Sequence, residues 1–286
     1  DARGIIETRN FRYEDITGEE RDQIILHVIK RIVNEDFWIS GEDKRDIWEK
    51  GWSENLSDFE KNGWDIFLLT PKFIRPNQIL RYKKGYIKTE DPYFEFNAVD
   101  VLRRWLFRKY LSNVRAIYEF GCGSCQHFPV LAELFPKKDL HGLDWAKSSV
   151  RILEKLRTQK KMNVYGHTFN MFEPDMNLKL AKRAGVFTVG TMEQLGKKFE
   201  PFLDYLLKKR PAVVLHVETT DDFYNENVLT DYLARIYDHK RNYLSGYHVR
   251  LRELEKKGNI RIIASTRVEF GSMFHDSYSY TVWKPI

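Results

Sequence analysis

The sequence predicts an α/β protein, a doubly wound and mostly parallel sheet preceded by a helical, loop-rich N-terminal region. Three observations carry this. Ala116-Ile-Tyr-Glu-Phe120 is a short apolar run followed by Gly121 and Gly123, then by a helix-like segment from Gln126 to Phe135. A second strand-like run, Asp139 to Trp145, includes an acid at its end, Asp144. Strand, glycine turn, helix and strand with a terminal acid form the nucleotide-binding half of a doubly wound sheet. Further short apolar runs at 163–167, 185–190 and 212–217 alternate with helical stretches in the same rhythm.

Taken in order, residues 1–15 are polar and irregular, and Thr17-Gly-Glu-Glu20 reads as a capping box. It opens a helix with Ile24, Ile25, Val28, Ile29 and Ile32 on one face. From Asp36 the composition changes, and Trp38, Trp48, Trp52 and Trp64 fall among acids and polar residues. Such a cluster is either local core or the wall of a pocket, because tryptophan combines an apolar face with a donor edge. Residues 65–96 are loop-rich and aromatic, with Tyr82, Tyr86 and Tyr93 among prolines. A helix from about Ala98 to Leu111, with Leu102, Trp105 and Leu106 facing in, leads to the first strand of the sheet.

Beyond the glycines, Pro129 suits the first turn of its helix, where a missing N–H costs little. Ser148 is expected to cap a helix reaching about Gln159. An amphipathic helix is expected from Lys197 to Lys208, and a long helical region after Asp222 is broken near Ser245-Gly246. Asn259 to Glu269 and Ser277 to Trp283 read as the last two strands.

The chain of 286 residues is long enough for one large domain, or one domain with an appendage. Charged residues at 31% and a mean hydropathy of −0.53 describe a soluble protein. No apolar run of eighteen residues is present, and no signal peptide is read at the start, so a cytoplasmic location is expected. The first residues are Asp-Ala-Arg rather than Met, as in a trimmed chain or a piece of a longer one. Two cysteines argue against a disulfide framework. Their spacing, Cys122-Gly-Ser-Cys125, reads as buried filler in a glycine turn, since a zinc site would need further ligands. A net charge of +6 invites a nucleic-acid reading. The basic clusters at 137–138, 160–161, 208–210 and 256–257 instead fall near predicted helix ends, where cations complement the dipole.

A dinucleotide site would place a third glycine where Gln126 stands. The pattern Glu119-x-Gly121-x-Gly123, with Asp144 twenty-five residues after Glu119, instead resembles motif I of the class I S-adenosylmethionine-dependent methyltransferases. The resemblance covers about residues 112–286 and extends loosely to bacterial members that modify sugars and polysaccharides. It implies a seven-stranded, Rossmann-like sheet with an antiparallel seventh strand beside the sixth. It also implies S-adenosylmethionine as cofactor, with S-adenosylhomocysteine as product. The glycine turn would lie under the amino-acid end, and Asp144, followed by Trp145, would take both ribose hydroxyls. Asn170 and Met171 stand where the adenine contacts belong, although aspartate is commoner than Asn170 there. The exit at Thr191 would face the sulfonium. Residues 1–110 would then form a substrate cap on a cofactor-binding domain of residues 111–286.

Transfer to a hydroxyl needs a base within hydrogen-bond reach. His216 stands at a strand end with Glu218 on the same side as a possible orienting partner; the alternative is a buried strand histidine. His275 and Glu193 are further candidates from the same end of the sheet. Trp52, Trp64, Tyr86 and Tyr93, with Glu193, are expected to wall the acceptor site, and aromatic and acidic groups suit a sugar or glycan acceptor. A nucleic-acid methyltransferase is the alternative, but base-methylating enzymes of this fold usually carry Asn/Asp-Pro-Pro-aromatic where this chain has Thr191-Met-Glu-Gln194. A non-catalytic cofactor-binding subunit also remains open, and a nicotinamide oxidoreductase is the most distant reading. No metal, membrane or nucleic-acid partner is expected; the acceptor atom and the oligomeric state stay open.

Overall fold

The computed structural model describes residues 2–34 and 37–286, so the compositional change at Asp36 lies outside the described residues. The N-terminal region runs α1 (Ala2–Thr8), β1 (Tyr13–Ile16), α2 (Gly18–Asn34), α3 (Arg45–Lys61), β2 (Leu80–Tyr82), β3 (Gly85–Thr89) and α4 (Phe94–Leu111). The helix α2 buries Ile24, Ile25, Val28 and Ile32 as its periodicity requires, but Ile29 is 37% exposed. In α4, Leu106 and Phe107 face inward, whereas Trp105 is 40% exposed and lies edge-on to Tyr280, with Lys109 over its ring. Its neighbours on the helical wheel take the inward face, and the indole covers the flank of the sheet instead.

The main sheet begins at β4 (Ala116–Phe120), followed by α5 (Phe128–Leu134), β5 (Asp139–Asp144), α6 (Lys147–Gln159), β6 (Val164–Thr168), β7 (Gly185–Val189), α7 (Glu200–Lys209) and β8 (Val213–Glu218). After α8 (Leu229–Lys240), Gly246 breaks the helical path at φ 81°, and α9 (Tyr247–Lys256) resumes it. The chain closes with β9 (Ile260–Thr266), β10 (Phe270–Ser272) and β11 (Ser279–Pro285). The strand order is β6-β5-β4-β7-β8-β11-β9, parallel from β6 to β8, with β11 antiparallel to both its neighbours. One face packs against α4, α5 and α6, around Phe107, Phe128 and Leu153. The other packs against α7 and α9, around Phe202, Leu206 and Leu251.

Phe270–Ser272 was expected in the loop joining the last two strands, but it is a strand. It pairs with β2 in a second sheet, ordered β1-β3-β2-β10 and antiparallel throughout. The C-terminal hairpin thereby supplies an edge to the N-terminal sheet. Ser148 lies inside α6 rather than at its cap. That helix start receives a carboxylate from elsewhere, Glu49 of α3, which accepts from the backbone N–H of Lys147 at 2.6 Å and from the Ser148 hydroxyl at 2.6 Å.

Candidate active site

Ligands of open α/β sheets bind outside the carboxyl ends of the strands. Here the exits of β4, β5, β6 and β7 meet in a cleft lined by Gly121, Gly123, Asp144, Trp145, Met171 and Thr191. Gly121 and Gly123 hold φ of 69° and 51°, which a side chain would strain. Space forbids one too: a Cβ on Gly121 would meet Thr191 Cγ2 at 1.9 Å, and one on Gly123 would meet Trp52 Cζ2 at 2.9 Å. The glycines thus let the β7 exit and the α3 indole close on the turn.

Asp144 is buried at the end of β5 and accepts from the backbone N–H groups of Gly123 and Ala146, each at 2.8 Å. Burial pushes its carboxyl up to about 6, against those two hydrogen bonds. A carboxylate has about four lone-pair sites. The N–H groups of Gly123, Ala146 and Trp145 draw on them, and room remains for a ligand hydroxyl.

Two stacked aromatic pairs wall the cleft. Trp48 and Trp52 lie 5.4 Å apart at 23°, and Trp145 and Phe172 lie 5.7 Å apart at 19°. The α3 pair is anchored at the β5 exit, where Glu49 holds the start of α6 and Arg45 donates to the Trp145 carbonyl at 3.2 Å. Phe169, Phe172, Gly190 and Leu195 also line the cleft and were not singled out in the sequence; Trp48 was named in the tryptophan cluster but not as a site residue. Trp48 could have been found from its helical spacing, one turn before Trp52.

Other expected cofactor residues stand behind the lining. Glu119 is buried beneath the turn, its carboxyl pushed well up by burial and by Asp144, and its Oε2 has no hydrogen-bond partner among the described residues. Asn170 turns away, accepting from the Phe172 N–H at 3.0 Å and donating to Glu42 at 3.2 Å.

The geometry corrects the reading of His216 and Glu218. His216 is buried with both ring nitrogens engaged, Nδ1 with Thr188 Oγ1 at 2.8 Å and Nε2 with the Tyr247 hydroxyl at 2.9 Å. Burial, with His248 nearby, pulls it down to about 3, so it is a neutral core histidine. Glu218 does not touch it directly; the Thr188 hydroxyl stands between them, donating to Glu218 Oε1 at 2.5 Å. Its Oε2 accepts from the N–H groups of Thr191 and Met192 at 2.8 and 3.0 Å, bracing the β7 exit that lines the cleft. Burial pushes its carboxyl up to about 8.

Three of the expected acceptor-wall residues also lie elsewhere. Trp64 packs edge-on to Phe59, with Lys155 over its ring. Tyr86 is core of the small sheet, clustered with Ile24 and Val28. Tyr93 is exposed beside Phe67. Trp52 alone of the four reaches the cleft, and its neighbours there are the presumed cofactor residues rather than His216.

His275 and Glu193 come together. His275 Nδ1 lies 2.7 Å from Asp238 Oδ1, and the ring is 12% exposed. Burial opposes its charged form, but Asp238, Glu193 and Asp276 outweigh this and raise it above the ordinary histidine value. Glu193 is pushed up by burial and drawn back by His275. It sits between Thr191 and Gln194 of the cleft, so the polar cluster adjoins the β7 exit. Cys122 and Cys125 are buried free thiols with sulfurs 3.9 Å apart. Among the described residues there is no cluster of three or more residues able to hold a metal, and no helix is long and apolar enough to cross a membrane.

No family model and no curated protein matches the sequence. Solved structures do match in shape. The pyocyanin biosynthetic protein PhzM aligns at TM-score 0.50 and 12% identity, over 68% of this chain and 57% of its own. Magnesium protoporphyrin IX methyltransferase (ChlM) from Synechocystis PCC 6803, with bound SAH, aligns at 0.48 and 12%, over 67% and 84%. The plantazolicin methyltransferase BpumL, in complex with a substrate analogue and SAH, aligns at 0.47 and 13%, over 85% and 98%. With its strand order and its cleft beyond the carboxyl ends of β4, β5 and β7, the chain has a seven-stranded, Rossmann-like fold similar to that of PhzM.

Proposed function

We propose that the chain transfers a methyl group from S-adenosylmethionine to a hydroxyl of a small molecule, a sugar or glycan-type acceptor. The observation that carries this reading is the cleft itself: a buried carboxylate, a glycine turn and two aromatic walls, all at the carboxyl ends of a parallel sheet. Asp144 would receive both ribose hydroxyls, the aromatic walls would take the flat base with Met171, and the turn at Gly121 and Gly123 would underlie the amino-acid end. The cofactor, when bound, supplies a methyl carbon already activated by a sulfonium.

The chain's own work is then alignment and removal of one proton. His275 is the base this geometry favours. Its Nδ1–H is held by Asp238, which leaves the Nε2 lone pair to accept the acceptor's proton. Glu193, two residues after the cleft-lining Thr191 and close enough to feel the charge of His275, would receive a second acceptor hydroxyl. An acceptor hydroxyl would pass its proton to Nε2 of His275 as its oxygen takes up the methyl group that the cofactor would supply. Residues 1–110 contribute Trp48 and Trp52 to the cofactor side of this arrangement.

Calorimetry with S-adenosylhomocysteine tests the reading. Wild type is expected to bind in the micromolar range, and Asp144→Ala should weaken binding by about 1.5–3 kcal/mol, the scale of hydrogen bonds to a charged group. Equal affinities would take Asp144 out of the site. Tight NAD binding with none for S-adenosylhomocysteine would overturn the proposal altogether.

A further inference from the structure

The N-terminal region holds a second cavity, of about 240 Å³, lined by α3 at Asn55 and Asp58 and by the segments at 67–76 and 92–96. Its wall carries three rings, Phe67, Tyr93 and Phe96, arranged edge-on about Phe67 at 5.8 and 5.5 Å. Phe67 and Tyr93 are nearly half exposed, although their apolar area would favour burial. Rings left open around a hollow can take the flat face of another ring.

The lining also holds two deeply buried polar side chains. Asn55, 2% exposed, donates its amide to the carbonyls of Leu68 at 2.8 Å and Thr70 at 3.2 Å. Its Oδ1 accepts no hydrogen bond among the described residues and is open to a hydroxyl donor. Glu95, 8% exposed, accepts from the Tyr278 hydroxyl at 2.8 Å and from Gln78 at 3.2 Å, with one lone pair to spare on each oxygen.

Charge at the rim is asymmetric. Lys72 is paired with Glu54 at 3.3 Å and Asp58 at 2.9 Å. Arg75 donates only to the Lys72 carbonyl at 3.5 Å and has no carboxylate partner among the described residues. The unspent cation of the cavity is therefore Arg75, and a guanidinium suits a carboxylate in two-point contact.

Position ties this cavity to the cleft. Trp48, Trp52 and Asn55 follow one another on a single stripe of α3, at spacings of four and three residues. Three residues of helix rise about 4.5 Å. Tyr278, which donates to Glu95, adjoins Ser279, the register partner of Glu218 at the carboxyl end of β8.

We propose that this cavity is a binding subsite for a hydroxylated ring that carries a carboxylate, with the ring against Phe67, Tyr93 and Phe96, its hydroxyls on Asn55 and Glu95, and its carboxylate on Arg75. That the ligand is the remote part of the methyl acceptor rests on the function proposed above; binding by the cavity does not. A sugar acid and a hydroxyaromatic acid share this chemistry, and the test separates them.

Ligand-observed NMR titrations would use D-glucuronate, 4-hydroxybenzoate, D-glucose and choline as probes, with wild type, Arg75→Ala and Phe67→Ala. One of the two acids is expected to bind with a Kd of about 1 mM, and which one identifies the source. Arg75→Ala should weaken that acid about fivefold or more, and Phe67→Ala should weaken it too. Both residues are at the surface, so folding is not at stake, and S-adenosylhomocysteine affinity should be unchanged in Arg75→Ala. Absence of binding by either acid, affinity untouched by both substitutions, or preference for choline would each overturn the subsite. If an acid binds through Arg75 while S-adenosylhomocysteine does not bind at all, the cavity stands and the methyltransferase reading falls.

Discussion

His275 owes its basicity to its neighbours. Burial alone would leave it a poor proton acceptor, as it does His216, but Asp238 and Glu193 raise it above the ordinary histidine value. Below that raised value the ring is protonated and has no lone pair at Nε2, so turnover should climb as pH rises through it. The stability contribution runs the opposite way: it is complete below the unfolded histidine's value and is lost as pH rises through the folded one. His275→Gln should slow transfer about 10²–10⁴-fold and also remove the inflection from the pH–rate profile. A variant as slow but with the inflection intact would make the residue a packing element. A cofactor affinity equal to wild type would separate loss of the base from collapse of the site.

Among the elements, α3 does two jobs. Its indoles close the cofactor cleft, and Glu49 completes the start of α6, whose own cap residue, Ala146, makes no side-chain hydrogen bond. A carboxylate at a helix N-terminus satisfies free N–H groups and complements the dipole. Glu49→Ala should therefore lower stability by about 1 kcal/mol in urea denaturation. Because the same contact seats α3, it should also weaken S-adenosylhomocysteine binding. Lost stability with unaltered affinity would show that the indole wall does not depend on this cap.

Over the whole molecule, a buried ion network joins the small sheet to the large one. Arg81 of β2, 1% exposed, pairs with Asp231 of α8 and at 2.9 Å with Asp276. Arg267 pairs with the same two acids, at 2.6 and 2.8 Å, and both guanidinium groups lie over the Tyr224 ring. Removing one partner of a buried pair leaves the other desolvated and uncompensated. Arg81→Met should cost about 3 kcal/mol, the low end of that range because Arg267 still reaches both acids. Adding Asp231→Asn should recover part of the loss. A single variant within about 0.5 kcal/mol of wild type in chemical denaturation would mean that the network adds nothing to the union of the two sheets.

Local signals determined much of this protein. The order of strands and helices from Ala116 onward, the glycine turn, Asp144 at its strand end and the break at Gly246 all follow from short-range patterns that tertiary contacts did not override. Each depends on backbone freedom or periodicity, which a few adjacent residues decide. The lining of the cleft was legible for the same reason: Gly121, Gly123, Asp144, Met171 and Thr191 all lie at strand exits. What a side chain does once it arrives was decided only by long-range packing. His216 and His275 are alike in sequence, yet one is capped on both nitrogens by Thr188 and Tyr247 and the other is set against Asp238, thirty-seven residues away. Trp48 and Trp52 became cleft wall while Trp64 became packing, because a single helical stripe faces the glycine turn. Phe270–Ser272 became a strand because β2 offered it an edge. Burial, partner and edge are properties of distant segments brought together, and no local pattern encodes them.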